Sequence, residues 1–250
     1  FSPEQIINQS LEEMGSNSVS YYAEAELTLI DAEKKEDTML LKEWRNDGKA
    51  RIEMASRDGD ENSITVLNGE TLISYDLNLN QAYIIESSGL LETNQLSLKD
   101  QANMILDLVR DTHDISIKGE EEIVGHDTYH IIAKEREKNT LFGDQELWID
   151  KENWMVLRMI STTGDSQSES AYTKIDFNTE ISDDLFTLDL PDDVELTNLD
   201  DLNNTSEVDL KEAASSLGKS FLYFAENEQI KIATIEKTVL AGEFDRVEVN

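Results

Sequence analysis

The stretch LWIDKENWMVLRM, Leu147 to Met159, is two apolar runs joined by the polar interval Asp150-Lys151-Glu152-Asn153. Short runs rich in Leu, Ile, Val and Trp that flank a polar turn read as a β-hairpin. So apolar a hairpin needs cover, and the expectation is that it forms one wall of an apolar receptacle in an otherwise acidic chain.

The same pattern extends to either side. From Val19 the apolar period is two: Val19, Tyr21, Ala23, Ala25, Leu27 and Leu29 share one face, and Ser20, Tyr22, Glu24, Glu26 and Thr28 share the other, which predicts a long half-buried strand. Further strands are predicted at 38–45, 49–56, 63–67, 71–75 and 81–86, separated by Asn46-Asp47-Gly48, Asp58-Gly59, Asn68-Gly69 and Asn78-Leu79-Asn80. Intervals this short connect antiparallel neighbours. A second meander is predicted at 115–123, 128–134, 145–150, 154–161 and 170–177, with turns at Gly125-His126-Asp127 and Thr163-Gly164-Asp165.

Two helices interrupt the strands. Ser2-Pro3-Glu4-Gln5 combines an N-cap serine, a proline at the first helical position and a glutamine three residues on from the cap, a capping box. Ile7, Leu11 and Met14 then make one stripe. The second helix, at 97–110, gathers Met104, Ile105, Leu108 and Val109 on a compact face. About eleven antiparallel strands and two helices predict an α+β fold, a strongly curved antiparallel sheet or incomplete β-barrel with the helices covering one face.

After Pro191 the composition turns acidic and polar. Residues 1–196 are read as the main domain, 197–208 as an acidic linker and 209–250 as a small or partial C-terminal α/β domain, with a short helix at 209–217 and strands at 220–225, 229–237 and 243–249.

With 54 acidic and 21 basic residues the formal charge is −33, spread along the chain. Phosphate binding needs clustered Lys and Arg, so no nucleic acid partner is expected. An anionic membrane surface repels such a body unless a separate anchor holds it there. Zero cysteines exclude thiol catalysis, thiolate metal sites and disulfides. No run of 18 apolar residues is present, and the chain opens at Phe1 without a methionine, which suggests removal of a leader.

Candidate chemistry is sparse. His126 and His130 share a strand face, but four strand residues span about 13 Å, too far for one shared ion. His113 has no nucleophile–base partner nearby. Asp76-Leu77-Asn78-Leu79-Asn80 begins like a calcium loop, yet Gln81 and Ser87 occupy the positions that need Gly and Glu. No nucleophile elbow, dinucleotide fingerprint, phosphate loop or zinc-protease motif occurs. No catalytic residue, metal or cofactor is expected, and the protein is not expected to be an enzyme. What remains is apolar: the expected cavity lining is Ile52, Met54, Ile64, Val66, Leu147 and Ile149 from the strands, with Met104 and Leu108 from the helix.

Several segments carry a family likeness in their order: Trp44-Arg45 with Lys49-Ala50-Arg51-Ile52-Glu53, then Val66-Leu67-Asn68-Gly69-Glu70-Thr71-Leu72-Ile73-Ser74-Tyr75-Asp76, then Glu122 to Ile131, Leu147 to Trp154, Tyr172 to Phe177 and Leu188-Asp189-Leu190-Pro191. Across residues 1–196 they resemble the lipoprotein-carrier superfamily, the Lol-type outer-membrane lipoprotein-sorting proteins, and within it extracytoplasmic lipoproteins of Gram-positive bacilli. The resemblance implies an incomplete barrel whose mouth the helices close, holding an acyl chain or lipoprotein in the enclosed space. It also implies an extracytoplasmic protein tethered to the cell membrane by a lipid on a cysteine lost before Phe1, with membrane contact only through that anchor. A two-domain relative, the regulator that restrains sigma-E signalling in Gram-negative envelopes, implies the alternative of an envelope sensor whose second domain meets a protein partner.

Overall fold

A computed structural model of the chain describes residues 1–15, 20–59, 61–86, 97–137, 142–177, 179–200, 203–209, 211–212, 215, 235–240 and 244–249. Helix α1 (Pro3–Gly15) begins as its capping box dictates: the Gln5 amide donates to Ser2 Oγ at 3.2 Å and the Ser2 amide to Gln5 Oε1 at 2.8 Å. Ile6, Ile7, Ser10 and Met14 are buried, and Leu11 packs against the core at its edge.

The first meander comprises β1 (Tyr21–Ile30), β2 (Glu36–Asn46), β3 (Lys49–Ser56), β4 (Asn62–Leu67), β5 (Leu72–Asp76) and β6 (Gln81–Ile85). Helix α2 (Leu98–Thr112) follows, capped by Ser97 in a second capping box with Asp100. The second meander is β7 (His113–Ile123), β8 (His126–Glu135), β9 (Asp144–Asp150), β10 (Val156–Thr163) and β11 (Ser166–Asp176). The antiparallel β1–β11 ladder joins the two meanders, and β12 (Glu195–Asn198) adds a parallel edge to β6. The result is a curved 12-stranded sheet in the order β12-β6-β5-β4-β3-β2-β1-β11-β10-β9-β8-β7, with its two ends unpaired to one another. This is the expected α+β half-barrel, with all eleven expected strands in place.

The twelfth strand was not expected. After β11 the chain crosses the outer face of the sheet through a 3-10 turn (Asp183–Phe186) before running alongside β6. Lys49 Nζ holds Asp183 at 2.8 Å, Arg51 Nη1 donates to the Leu185 carbonyl at 3.3 Å, and Phe186 is buried beneath the crossing. Residues 197–208, expected as a linker, hold the end of β12 and all of β13 (Asn203–Glu207). β13 pairs with β14 (Ile235–Leu240), which pairs with β15 (Phe244–Val249), in a separate three-stranded sheet. The expected strands at 220–225 and 229–237 fall wholly or mostly outside the described residues.

Helices α1 and α2 pack on each other and on β7, and α2 reaches β10. They cover the inner face, where Tyr21, Ala23, Leu106, Val109, Ile131, Leu147, Ile149 and Leu157 are buried in one cluster. The loop before β9 is pinned to this assembly: the Gly143 carbonyl lies 2.8 Å from His113 Nε2. Gly143 has φ +60°, and a Cβ there would run into the Thr162 carbonyl. Gly143→Ala is therefore expected to cost about 2–4 kcal/mol, because strain of about 1–2 kcal/mol is joined by a backbone clash. Gly48→Ala, with φ +76° but open space, is expected to cost only the strain; urea titration of both variants measures the difference.

Candidate ligand-binding face

Directly paired residues of adjacent strands share a face, so the register traces rows across the sheet. One inner row runs through seven strands: Ile117 pairs with Ile131, Ile131 with Leu147, Leu147 with Met159, Met159 with Ser170, Ser170 with Leu27, and Leu27 with Met39. Six steps of about 4.8 Å give it a length of about 29 Å. All but Ser170 are apolar. Ile131 and Leu147 are fully buried, whereas Met159, Leu27 and Met39 are only half-buried and Ile117 is 40% exposed. Leu29, the next residue of β1 on this face, is 50% exposed. Beyond Met39 the face continues into a hollow of about 500 Å³ whose lining includes Met39, Ser63, Asp76 and Leu79.

The expected lining divides. Ile52, Met54, Leu147 and Ile149 lie on the inner face; Leu147 and Ile149 are filled-core residues, Ile52 is buried and Met54 is half-buried. Ile64 and Val66 lie on the opposite face, because Ile52 pairs with Thr65 and Met54 with Ser63. On α2, Leu108 is half-buried and Met104 is 38% exposed. The row is thus packed with side chains at Ile131 and Leu147, and the open apolar surface lies from Met159 to Met39 and at Ile117. Leu27, Met39, Met159 and Ile117 were missing from the expected lining. The available signal was the spacing of the hairpins: Ala55 pairs with Asn62 across six intervening residues, which sets even positions of β3 against odd positions of β4.

A buried polar cluster joins this face to the start of α2. Arg45, on the inner face of β2, makes a bidentate pair with Asp100 (3.1 and 3.1 Å) and reaches Ser97 Oγ at 3.2 Å. Tyr21 Oη donates to Glu43 Oε1 at 2.8 Å, and the Arg45 guanidinium stands 3.7 Å from the same oxygen. Glu43 Oε2 is buried with no hydrogen-bond partner among the described residues. Burial pushes the Glu43 carboxyl up to about 7, more than Arg45 pulls it down, and burial lowers Lys99 beside it. Tyr21 is held protonated by burial and by the neighbouring Glu43 charge.

The histidines are separately engaged. His126 Nδ1 is 2.9 Å from Asp150, while His130 lies between Glu121 at 2.8 Å and Glu146 at 2.9 Å and stacks on Trp148. No group of three or more metal-ligating side chains is assembled among the described residues. Asp76 Oδ1 accepts the amides of Asn78 and Leu79 at 2.9 Å each, which makes its loop a side-chain-capped turn. No helix among the described residues is long and apolar enough to cross a membrane.

Glu43 sets a pH dependence of known sign. Its folded value near 7 exceeds the ordinary 4.5, so its contribution to stability is fully present below about pH 4.5, is lost as pH rises to about 7, and is flat above. Between pH 5.5 and 8 the loss is expected to be on the order of 2 kcal/mol. Glu43→Gln is expected to remove that part of the slope and to be more stable than the parent at pH 8; thermal melts of both proteins at the two pH values decide it.

No family model matches the sequence, and no curated protein matches it. Solved structures do. An uncharacterized conserved protein from Thermus thermophilus aligns at TM-score 0.50 and 14% identity, over 76% of this chain and 98% of that one. A LolA superfamily protein from Nitrosomonas europaea aligns at TM-score 0.37 and 13% identity, over 75% and 98%. The MucA/MucB complex of Pseudomonas aeruginosa aligns at TM-score 0.47 and 12% identity, over 94% and 75%. At 14% identity the likeness to the Thermus thermophilus protein is one of fold.

Proposed function

We propose that the protein is a non-enzymatic carrier that binds an acyl chain, free or as part of a lipoprotein, along the inner face of its sheet. The observation that carries this reading is the inner row, about 29 Å long and apolar except at Ser170, buried at Ile131 and Leu147 and half-exposed at Leu27, Met39 and Met159. Proteins in water rarely leave such a continuous stripe uncovered, and where they do it marks a binding surface. Methionines at two of those positions supply an unbranched, adaptable lining that suits chains of varied shape. The acyl chain would enter beside Met39 and deepen the site by displacing α2, whose polar attachment is concentrated at its first turn through Arg45. We place this activity outside the cytoplasm, on a chain held to the membrane by a lipid on its N-terminal side, as the sequence resemblance implies.

A charge in the open part of the row would oppose an apolar ligand while remaining in water in the free protein. Leu27→Glu is expected to weaken binding of a diacylglyceryl-cysteine lipopeptide at least tenfold with unchanged circular dichroism, measured by native mass spectrometry and fluorescence titration. Equal affinity of Leu27→Glu and parent for the lipopeptide would rule the inner face out.

A further inference from the structure

The outer face carries a second hollow. It has a volume of about 490 Å³, within the range of small-molecule sites, roughly 300–1,000 Å³. Register fixes its side: Glu24 pairs with Lys42 and Lys42 with Glu53, Glu26 pairs with Leu40 and Leu40 with Ala55, and Glu53 pairs with Ile64. These side chains all point away from the helices, and the alternating residues between them contribute backbone to the floor. Leu40, Ala55, Ile64 and Leu77 make that floor apolar, with Leu40 39% and Leu77 44% exposed. From β1 to β4 the groove spans three inter-strand steps, about 14 Å, the scale of an extended fatty tail.

Each carboxylate at the groove already faces a donor: Glu24 accepts from Tyr22 Oη at 2.7 Å and lies 3.9 Å from Lys174, Glu26 is 3.3 Å from Arg57, and Glu53 is 2.8 Å from Arg51. Lys42 is exposed and has no hydrogen-bond or ion-pair partner among the described residues. Lys42 is the one cation among the described residues of the lining, and the three carboxylates there are each engaged by a neighbouring donor. An apolar floor with one uncommitted ammonium at its centre is complementary to an amphiphile with a single negative head.

We propose that this outer groove binds a long-chain carboxylate, its tail along Leu40, Ala55, Ile64 and Leu77 and its head paired with Lys42. The site is separate from the inner face and, unlike it, selects for a charged head through Lys42.

Isothermal titration with palmitate, below its aggregation concentration, and with methyl palmitate tests the assignment on the full chain. Lys42→Met is expected to lower palmitate affinity about tenfold and leave methyl palmitate unchanged, since only the former presents a charge. Ile64→Trp, which fills the floor, is expected to weaken both, and because a free acyl chain also fits the inner face, the Lys42→Met loss is expected to persist in a Leu27→Glu background. Unchanged palmitate binding by Lys42→Met in the Leu27→Glu background overturns the proposal, as does full retention of palmitate binding by Ile64→Trp in that background. Thermal melts verify that each variant is folded; Lys42 is exposed, so its replacement tests the head-group contact without disturbing the core.

Discussion

The β1–β11 ladder is the interaction on which the architecture depends. Each meander alone is a set of sequential hairpins that could curl independently. Nine residue pairs from Tyr22–Asp176 to Ile30–Gln167 fuse them into one sheet, with a register shift between Glu24 and Ala25. Only because Ser170 sits opposite Leu27 do the apolar residues of β7–β10 and those of β1–β2 fall in one line. A slip of one residue in this ladder would turn Leu27 and Met39 to the outer face and cut the row in half. The bulge is compatible with this demand: it places Tyr172 opposite Ala25 on the inner face while increasing the local twist that bends the sheet.

Helix α2 is attached by two physically different means. Along its length, Ala102, Ile105, Leu106 and Val109 are buried against the sheet and α1, a non-directional contact proportional to area. At its first turn the attachment is ionic and directional, through Arg45 to Ser97 and Asp100. A buried charge cluster of this kind adds little net stability, since desolvation offsets much of the Coulomb attraction. Its effect is positional: it fixes which residue of β2 meets the helix end. Glu43, with one oxygen unsatisfied, makes that end the least comfortable part of the core once the carboxyl ionises. The helix is thus held along its length by apolar contacts and positioned at its start by polar ones.

Much of this was legible in the residues. The period-two runs and the Asp-Gly and Asn-Gly turns placed eleven strands, and Ser2 and Ser97 marked both helix starts, because these are local signals that operate within a few residues. The parallel β12 was not legible, since its partner β6 lies more than 100 positions away and four residues, Glu195 to Asn198, carry too short a pattern to read. The site was half legible. Leu147, Ile149, Ile52 and Met54 share the inner face as expected, but Ile64 and Val66 do not, because face assignment passes from strand to strand through the parity of each turn. Reading apolar residues as core gives their burial, and only pairing gives their side.

That misassignment points to a property of the sheet itself. In β1, β3, β8 and β9 the apolar face is the inner one. Over 63–66 of β4 and 73–76 of β5 the inner positions are instead Ser63, Thr65, Ser74 and Asp76, and the outer ones are Ile64, Val66, Ile73 and Tyr75. Thr65 and Ser74 bond to each other at 2.9 Å on the inner side. A sheet whose amphipathicity changes sides cannot bury all its apolar surface by closing on itself, because closure covers one face alone. The segment after β11 meets the need by crossing the outer face, burying Phe186, Val66 and Ala82. Its cover is local, however, resting on the Lys49 and Arg51 end of β3. Toward the other end of that strand Leu40, Ala55 and Ile64 lie under no such segment among the described residues, and the outer groove is the consequence: the crossing chain covers one end of the inverted face and leaves the other open.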